Sequence, residues 1–183
     1  MTINRARTAI SRQTFSKPYR RLLETGAIHS GMTILDYGCG KGYDVRRLQE
    51  HGGLVDTSLD GLNIRGYDPF QPGFNCPEYL EMQYDVVTCN YVMNVIEDQQ
   101  ERADVLRRLL ELAPVVYLTV RADAKAVKPT WKQYGDGYIT PNNTFQKFYT
   151  LDEAINEFYR LSLKLTAVNY DSSEITLKLE RID

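Results

Sequence analysis

The chain has 183 residues, 43% of them hydrophobic and 25% charged, with a formal net charge of −2. That length suits one domain with a full core and is short for two, so residues 1–183 are read as a single domain. No apolar run approaches the roughly 20 residues of a membrane helix and no secretory apolar core opens the chain; three scattered cysteines and two histidines without a Cys-x-x-Cys pair disfavour disulfides and structural zinc.

The expectation is therefore a cytoplasmic protein with reduced thiols, no metal and no membrane partner. The small net charge hides an asymmetry: residues 1–23 carry Arg5, Arg7, Arg12, Lys17, Arg20 and Arg21 and no acid, leaving −8 on the other 160 residues. On charge alone this arm reads as a solvated segment, a transit peptide or a phosphate-meeting surface.

In chain order, Ser16-Lys17-Pro18 opens a helix that Gly26 stops. Residues 1–30 form the basic arm and this helix. Residues 32–37 read as a short buried strand, and Gly38-Cys39-Gly40-Lys41-Gly42 as a glycine-rich turn. A helix follows over 44–51, ended by Gly52-Gly53. Residues 64–67 and 85–89 are further strands. Asp98-Gln99-Gln100-Glu101 caps a helix stopped at Pro114, and 115–120 is the next strand. Residues 121–149 read as loop-rich. Thr150-Leu151-Asp152-Glu153 is a capping box whose helix aligns Ala154, Ile155, Phe158 and Leu161. Residues 165–170 and 174–179 form an antiparallel hairpin. Strands alternating with helices and closed by a hairpin give an α/β sandwich with a mostly parallel sheet.

The chemistry lies in Asp36-Tyr37-Gly38-Cys39-Gly40-Lys41-Gly42. A phosphate-cradling loop fails because Gly42, not Ser or Thr, follows Lys41. A dinucleotide fingerprint fails because its third glycine falls at Tyr43. Gly-x-Gly-x-Gly behind an acid suits S-adenosylmethionine (SAM), whose aminoacyl end needs close backbone approach. A second acid after the next strand is expected to accept both ribose hydroxyls, and Asp68 stands there, followed by Pro69. The binding crevice should lie at the carboxyl ends of the strands.

Residues 34–42 with Asp68 resemble the first two motifs of class I SAM-dependent methyltransferases. Six blocks in order (7–12 with 16–18, 36–46, 66–69, 90–98, 135–137 and 144–150) resemble the DNA phosphorothioation-associated methyltransferases. The resemblance implies a three-layer Rossmann-like sandwich, a SAM cofactor and a methyltransferase core without a long C-terminal extension. Only 16 residues separate Asp68 from Asp85, so the usual third strand should be reduced or absent.

Asn90-Tyr91-Val92-Met93-Asn94 follows the strand where class I enzymes place methyl-donor and substrate contacts. It is not the Asn/Asp-Pro-Pro-Tyr motif of amino-group methylation, and no Pro-Cys nucleophile is present. Cys89 reads as a small buried strand residue. The expected cofactor set is Asp36, Gly38, Cys39, Gly40, Gly42, Asp68, Pro69, Asn90 and Tyr91. Asp123, Asp136 and Tyr149 are candidate catalytic groups, and Arg7, Arg12, Asn94 and Lys147 candidate substrate contacts. Residues 121–150 are read as a substrate or lid segment. Its aromatic residues either stack on a flat substrate or pin the segment to the core. The first functional reading is methylation of a nucleic acid or nucleotide-like substrate. Methylation of a small molecule, and a SAM-binding accessory protein without catalysis, are the alternatives.

Overall fold

The structure, a computed structural model, describes residues 3–51, 62–159 and 163–181. The described helices are α1 (Lys17–Glu24), α2 (Tyr43–His51), α3 (Gln99–Leu112) and α4 (Leu151–Phe158). The main-sheet strands are β1 (Thr33–Tyr37), β2 (Asn63–Tyr67), β3 (Val86–Asn90), β4 (Val115–Arg121), β8 (Leu163–Tyr170) and β9 (Glu174–Arg181). Their order is β2-β1-β3-β4-β9-β8. The first four run parallel, while β9 lies antiparallel to β4 and β8 antiparallel to β9. This is the sandwich expected from the sequence.

The parallel strands are short apolar runs because helices cover both faces. Ile34 and Val86 turn to one face, where they meet Phe15, Tyr19 and Leu22 around α1 and Val45 and Leu48 of α2. Leu35 and Val87 turn to the other, with Leu106, Leu109 and Leu110 of α3 and Ala154 and Phe158 of α4. Cys89 is fully buried in this second layer. Each fully buried side chain of this size contributes roughly 1.5–3 kcal/mol.

The helix starts follow the capping residues. The Ser16 hydroxyl accepts from the Tyr19 amide, and Asp98 accepts from the amides of Gln100 and Glu101. Thr150 and Glu153 complete a reciprocal capping box. Such caps contribute about 1 kcal/mol each. The expected stop at Gly52-Gly53 and the face position of Leu161 lie outside the described residues. Between Asp68 and Asp85 the chain makes a 3-10 turn at Pro77–Glu81 and no strand, so β2 is the sheet edge there.

Residues 121–149 are loop-rich, as expected, but organise around short strands. They hold a second antiparallel sheet of β5 (Lys132–Tyr134), β6 (Gly137–Ile139) and β7 (Phe145–Gln146). Strands of two or three residues are too short to show an alternating pattern. Gly135, at φ +54°, turns β5 into β6, and a Cβ on Gly137 would stand 2.4 Å from Phe145. Asp136 between them accepts from Arg102 and, at 2.8 Å, from Lys147. Glu157 accepts from Arg102 at 2.6 Å and Lys147 at 2.8 Å. Two cations and two carboxylates thus tie the small sheet to α3 and α4. Burial opposes ionisation of Asp136, but the bonds from Lys147 and Arg102 outweigh it and hold the carboxyl below its ordinary range.

The Arg102 side chain is only 1% exposed. Arg102→Ala is expected to cost about 3–5 kcal/mol in urea denaturation by leaving its acids uncompensated. Because the Asp136 carboxyl is depressed, its share of stability is present above about pH 4 and is lost as pH falls through the folded value. A loss below about 1 kcal/mol, within the range of exposed pairs, would show that the network does not anchor the sheet.

Candidate active site

The turn from β1 to α2 sets the site. Asp36, near the end of β1, is buried and accepts from the Thr88 hydroxyl of β3 at 3.0 Å. Thr88 in turn lies 2.6 Å from the Tyr19 hydroxyl of α1. The amides of Gly38 and Cys39 donate to the Tyr67 carbonyl at the end of β2, at 2.7 and 3.2 Å. Asp68 accepts from the Gly40 amide at 3.0 Å and from Phe70 at 2.9 Å. Gly38, Gly40 and Gly42 all have positive φ. A Cβ would lie 2.2 Å from Val92 at Gly38 and 1.9 Å from Phe74 at Gly42, so no larger residue fits at either position.

A cavity of about 630 Å³ opens beside this turn. Asp36, Gly38, Cys39, Gly40, Asp44, Asp68 and Pro69 form one wall. Asn90 at the end of β3 with Tyr91 and Asn94 beyond it, Arg121 at the end of β4 with Asp123 beyond it, and Ser173 and Glu174 at the hairpin form another. The N-terminal arm supplies Arg5, Thr8, Ala9, Ile10 and Arg12. It is fastened at several points: Asn4 donates to the Asn143 carbonyl at 2.8 Å, and Arg5 bonds both Glu97 and Glu101. Lys41 donates to Ser11 at 2.9 Å, Tyr43 to the Gln13 carbonyl at 2.6 Å, and the Ser16 amide to Asp44 at 2.9 Å.

Three acids of the cavity wall resist ionisation. Burial, with the charge of Asp44, pushes the Asp36 carboxyl up to about 8, against the Thr88 and Tyr19 bonds and the Arg12 guanidinium. Burial also raises Asp44 against its bond from Ser16, and raises Asp68 against the Phe70 and Gly40 amides. A cation placed among them would favour all three carboxylates. The Asn90 amide has both polar atoms buried without a partner, as has Asn94 Oδ1, among the described residues. Buried polar atoms of this kind are matched to a ligand or to water.

The structure gathers Asp36, Gly38, Cys39, Gly40, Asp68, Pro69, Asn90 and Tyr91 around one cavity, together with Arg12, Asn94 and Asp123. Five expected site residues lie elsewhere. Gly42 lies under Phe74 and does not line the cavity. Arg7 is exposed in an adjoining depression with Phe70 and Asn143 and does not line the cavity. Asp136 and Lys147 belong to the buried ion network. Tyr149 packs on Phe158 and donates to Glu157, so its hydroxyl is engaged away from the cavity. None of the aromatic residues of 131–149 lines the cavity: Phe145 and Tyr149 are buried, Trp131 stacks on Phe148 at 6.3 Å, and Tyr134 is exposed. Of residues 121–150, Arg121, Asp123 and Gln146 reach the cavity.

Sequence reasoning missed Arg5, Asp44, Arg121 and Glu174. Asp44 had a signal, an acid in the first turn of the helix that follows the glycines. Glu174 is 2% exposed and accepts from Arg21 at 2.9 Å and from the Tyr91 hydroxyl. Nothing in the hairpin pattern distinguishes it from a solvated acid.

The family model of the methyltransferase domain matches residues 8–168. The chain belongs to this family. It is a SAM-dependent methyltransferase of the α/β Rossmann-like fold. A solved Burkholderia thailandensis 1,6-didemethyltoxoflavin-N1-methyltransferase, bound to 1,6-didemethyltoxoflavin and S-adenosylhomocysteine (SAH), is similar in fold. The TM-score is 0.61 at 14% identity, covering 91% of this chain and 78% of that one. A cyclopropane-fatty-acyl-phospholipid synthase-like protein from Lactobacillus casei gives 0.57 at 10% identity, over 89% and 90% of the two chains. A DhpI–SAM–HEP complex gives 0.51 at 15%, over 89% and 85%. No curated protein matches the sequence.

The residues fit the cofactor. The glycine turn would admit the aminoacyl end, Asp36 and Asp44 would complement its ammonium, Asp68 would accept from the ribose hydroxyls, and the Asn90 amide is unpartnered among the described residues. Asp68→Ala is expected to weaken SAH binding by about 1.5–3 kcal/mol in titration calorimetry; unchanged affinity would remove Asp68 from the site. Ionising Asp36 against a bound ammonium releases a proton below pH 8, so SAH affinity should rise with pH from about 6 to 8 and then level. Asp36→Asn should flatten that profile.

Proposed function

We propose that this methyltransferase acts on a small molecule enclosed between the strand ends and the N-terminal arm. The observation that carries the reading is the fate of the arm's charge. Arg5 turns inward onto Glu97 and Glu101, and Arg21 onto Glu174. Lys17 meets Ser173, and Arg12 lies over Tyr91. Arg7 and Arg20 are left on the surface. The arm therefore roofs a cavity instead of offering the continuous basic track that polynucleotide backbones require. A volume of about 630 Å³ falls within the range of small-ligand pockets. The toxoflavin-precursor enzyme of similar fold also holds a small molecule beside SAH.

When bound, SAM supplies a methyl group activated on a sulfonium. The protein's own part is mostly positioning. The glycine turn and Asp68 fix the cofactor's two ends, and the arm excludes water. Tyr91, held at φ 62° with its amide on the Thr119 carbonyl at 2.8 Å, presents a fixed ring to the acceptor compartment. Asp123, half-buried at the cavity wall, is the candidate to accept a proton from an acceptor that must lose one.

The nucleic-acid reading rests on the acid-free basic arm and on the aromatic residues of 131–149 as stacking surfaces for a flat substrate. One experiment separates the two. The protein is incubated with methyl-labelled SAM, a cellular metabolite extract, and genomic DNA and RNA. Label is expected in the small-molecule fraction. Label confined to polynucleotide, with transfer falling steeply in salt, would overturn the proposal.

A further inference from the structure

Two guanidiniums that line the cavity have no acid bonded to them among the described residues. Arg12 stands 5.9 Å over the Tyr91 ring and Arg121 stands 5.0 Å over the Phe148 ring. Both are half-buried. They contrast with Arg5, Arg21 and Arg102, which all bond carboxylates.

These two arginines belong to one corner. Arg121 is the register partner of Glu174 across β4 and β9. Glu174 accepts the Tyr91 hydroxyl, and the Tyr91 ring carries Arg12. Asp68 lies at the end of β2, two strands away from β3 and three from β4 in the sheet order. The Arg121 end of this corner is therefore separated from Asp68 by the ends of β1 and β3.

An arginine held near a ring face by its charge leaves its fork of N–H donors for a planar or tetrahedral anion. A charge held in a half-buried site without a bonded counter-charge is unfavourable until such an anion arrives. The cofactor brings one carboxylate, attached to the same carbon as its ammonium. Arg12, whose charge acts on Asp36 and Asp44, stands on that side. Arg121 then faces the acceptor. Glu174 does not neutralise it, because Glu174 already bonds Arg21 and Tyr91.

We propose that Arg121, seconded by Arg12 across Tyr91, forms an anion subsite, and that the methyl acceptor is a small organic acid bearing a carboxylate or phosphate. This rests on the small-molecule reading above. The subsite anchors the acid group and orients the remainder of the molecule toward the cofactor.

The test uses the full chain saturated with SAH and three probes of one shape: benzoate, phenyl phosphate and the neutral benzamide. Binding is read by ligand-observed NMR and calorimetry. At least one acid should bind about tenfold or more tighter than benzamide, the scale of one charge-assisted bond. Arg121→Gln should erase that preference and leave SAH affinity unchanged, while Arg121→Lys restores part of it. Arg7→Gln, outside the cavity, should change neither. Equal binding of acid and amide, or an acid preference that survives Arg121→Gln, overturns the subsite. A short oligonucleotide that outcompetes phenyl phosphate through Arg121 overturns the small-acid assignment. Failure of the unaltered protein to bind SAH overturns the methyltransferase reading itself and the subsite with it.

Discussion

The bond from the Gly40 amide to the Asp68 carboxylate joins the ends of β1 and β2 across a turn that must reverse within five residues. Three glycines in that turn adopt positive φ, a conformation costly for residues with a Cβ. Val92 and Phe74 press against two of them so closely that side chains are excluded. With the turn fixed, the first helical turn of α2 puts Asp44 beside Asp36, and Asp44 in turn holds the Ser16 amide. One short segment thus determines where the acids stand, where the cofactor's backbone cradle lies and where the arm enters.

The rest of the cavity is assembled by strand ends brought level by parallel pairing. Asn90 and Tyr91 leave β3 beside the point where Arg121 leaves β4, because Asn90 pairs with Thr119. The antiparallel return of β9 then sets Glu174 against Arg121. Asp36, Asp44 and Asp68 cluster at the ends of β1 and β2, while Arg121 stands at the end of β4 and Arg12 reaches in from the arm between them. The cavity is polar in two senses, and a zwitterionic cofactor beside an anionic acceptor matches that division.

Much of this was legible because the main-sheet strands and the helices carry their own signals. Ser16, Asp98 and Thr150 marked helix starts within a residue. The acid–glycine spacing from Asp36 to Gly42, with Asp68 after the second strand, marked the cofactor wall. The short interval before Asp85 marked the missing strand. What stayed hidden depends on pairing in three dimensions. The strands of the small sheet are too brief for periodicity, so its charged residues read as exposed and available. Asp136, Lys147 and Tyr149 look reactive in a loop and prove to be bonded to Arg102 and Glu157, which lie on separate helices. Conversely, Glu174 and Arg121 sit in strands whose pattern describes burial and not chemistry.

The central claim is that the turn at 38–42 and the arm over it enclose one SAM site. Hydrogen exchange by mass spectrometry, with and without saturating SAH, tests this without knowledge of the acceptor. Added protection is predicted both in residues 38–44 and in the arm, residues 4–16, with little change in β8 and the far ends of β9 and α3. Protection of the turn with an arm that exchanges at the same rate in both states, or no protection in either, would contradict the account.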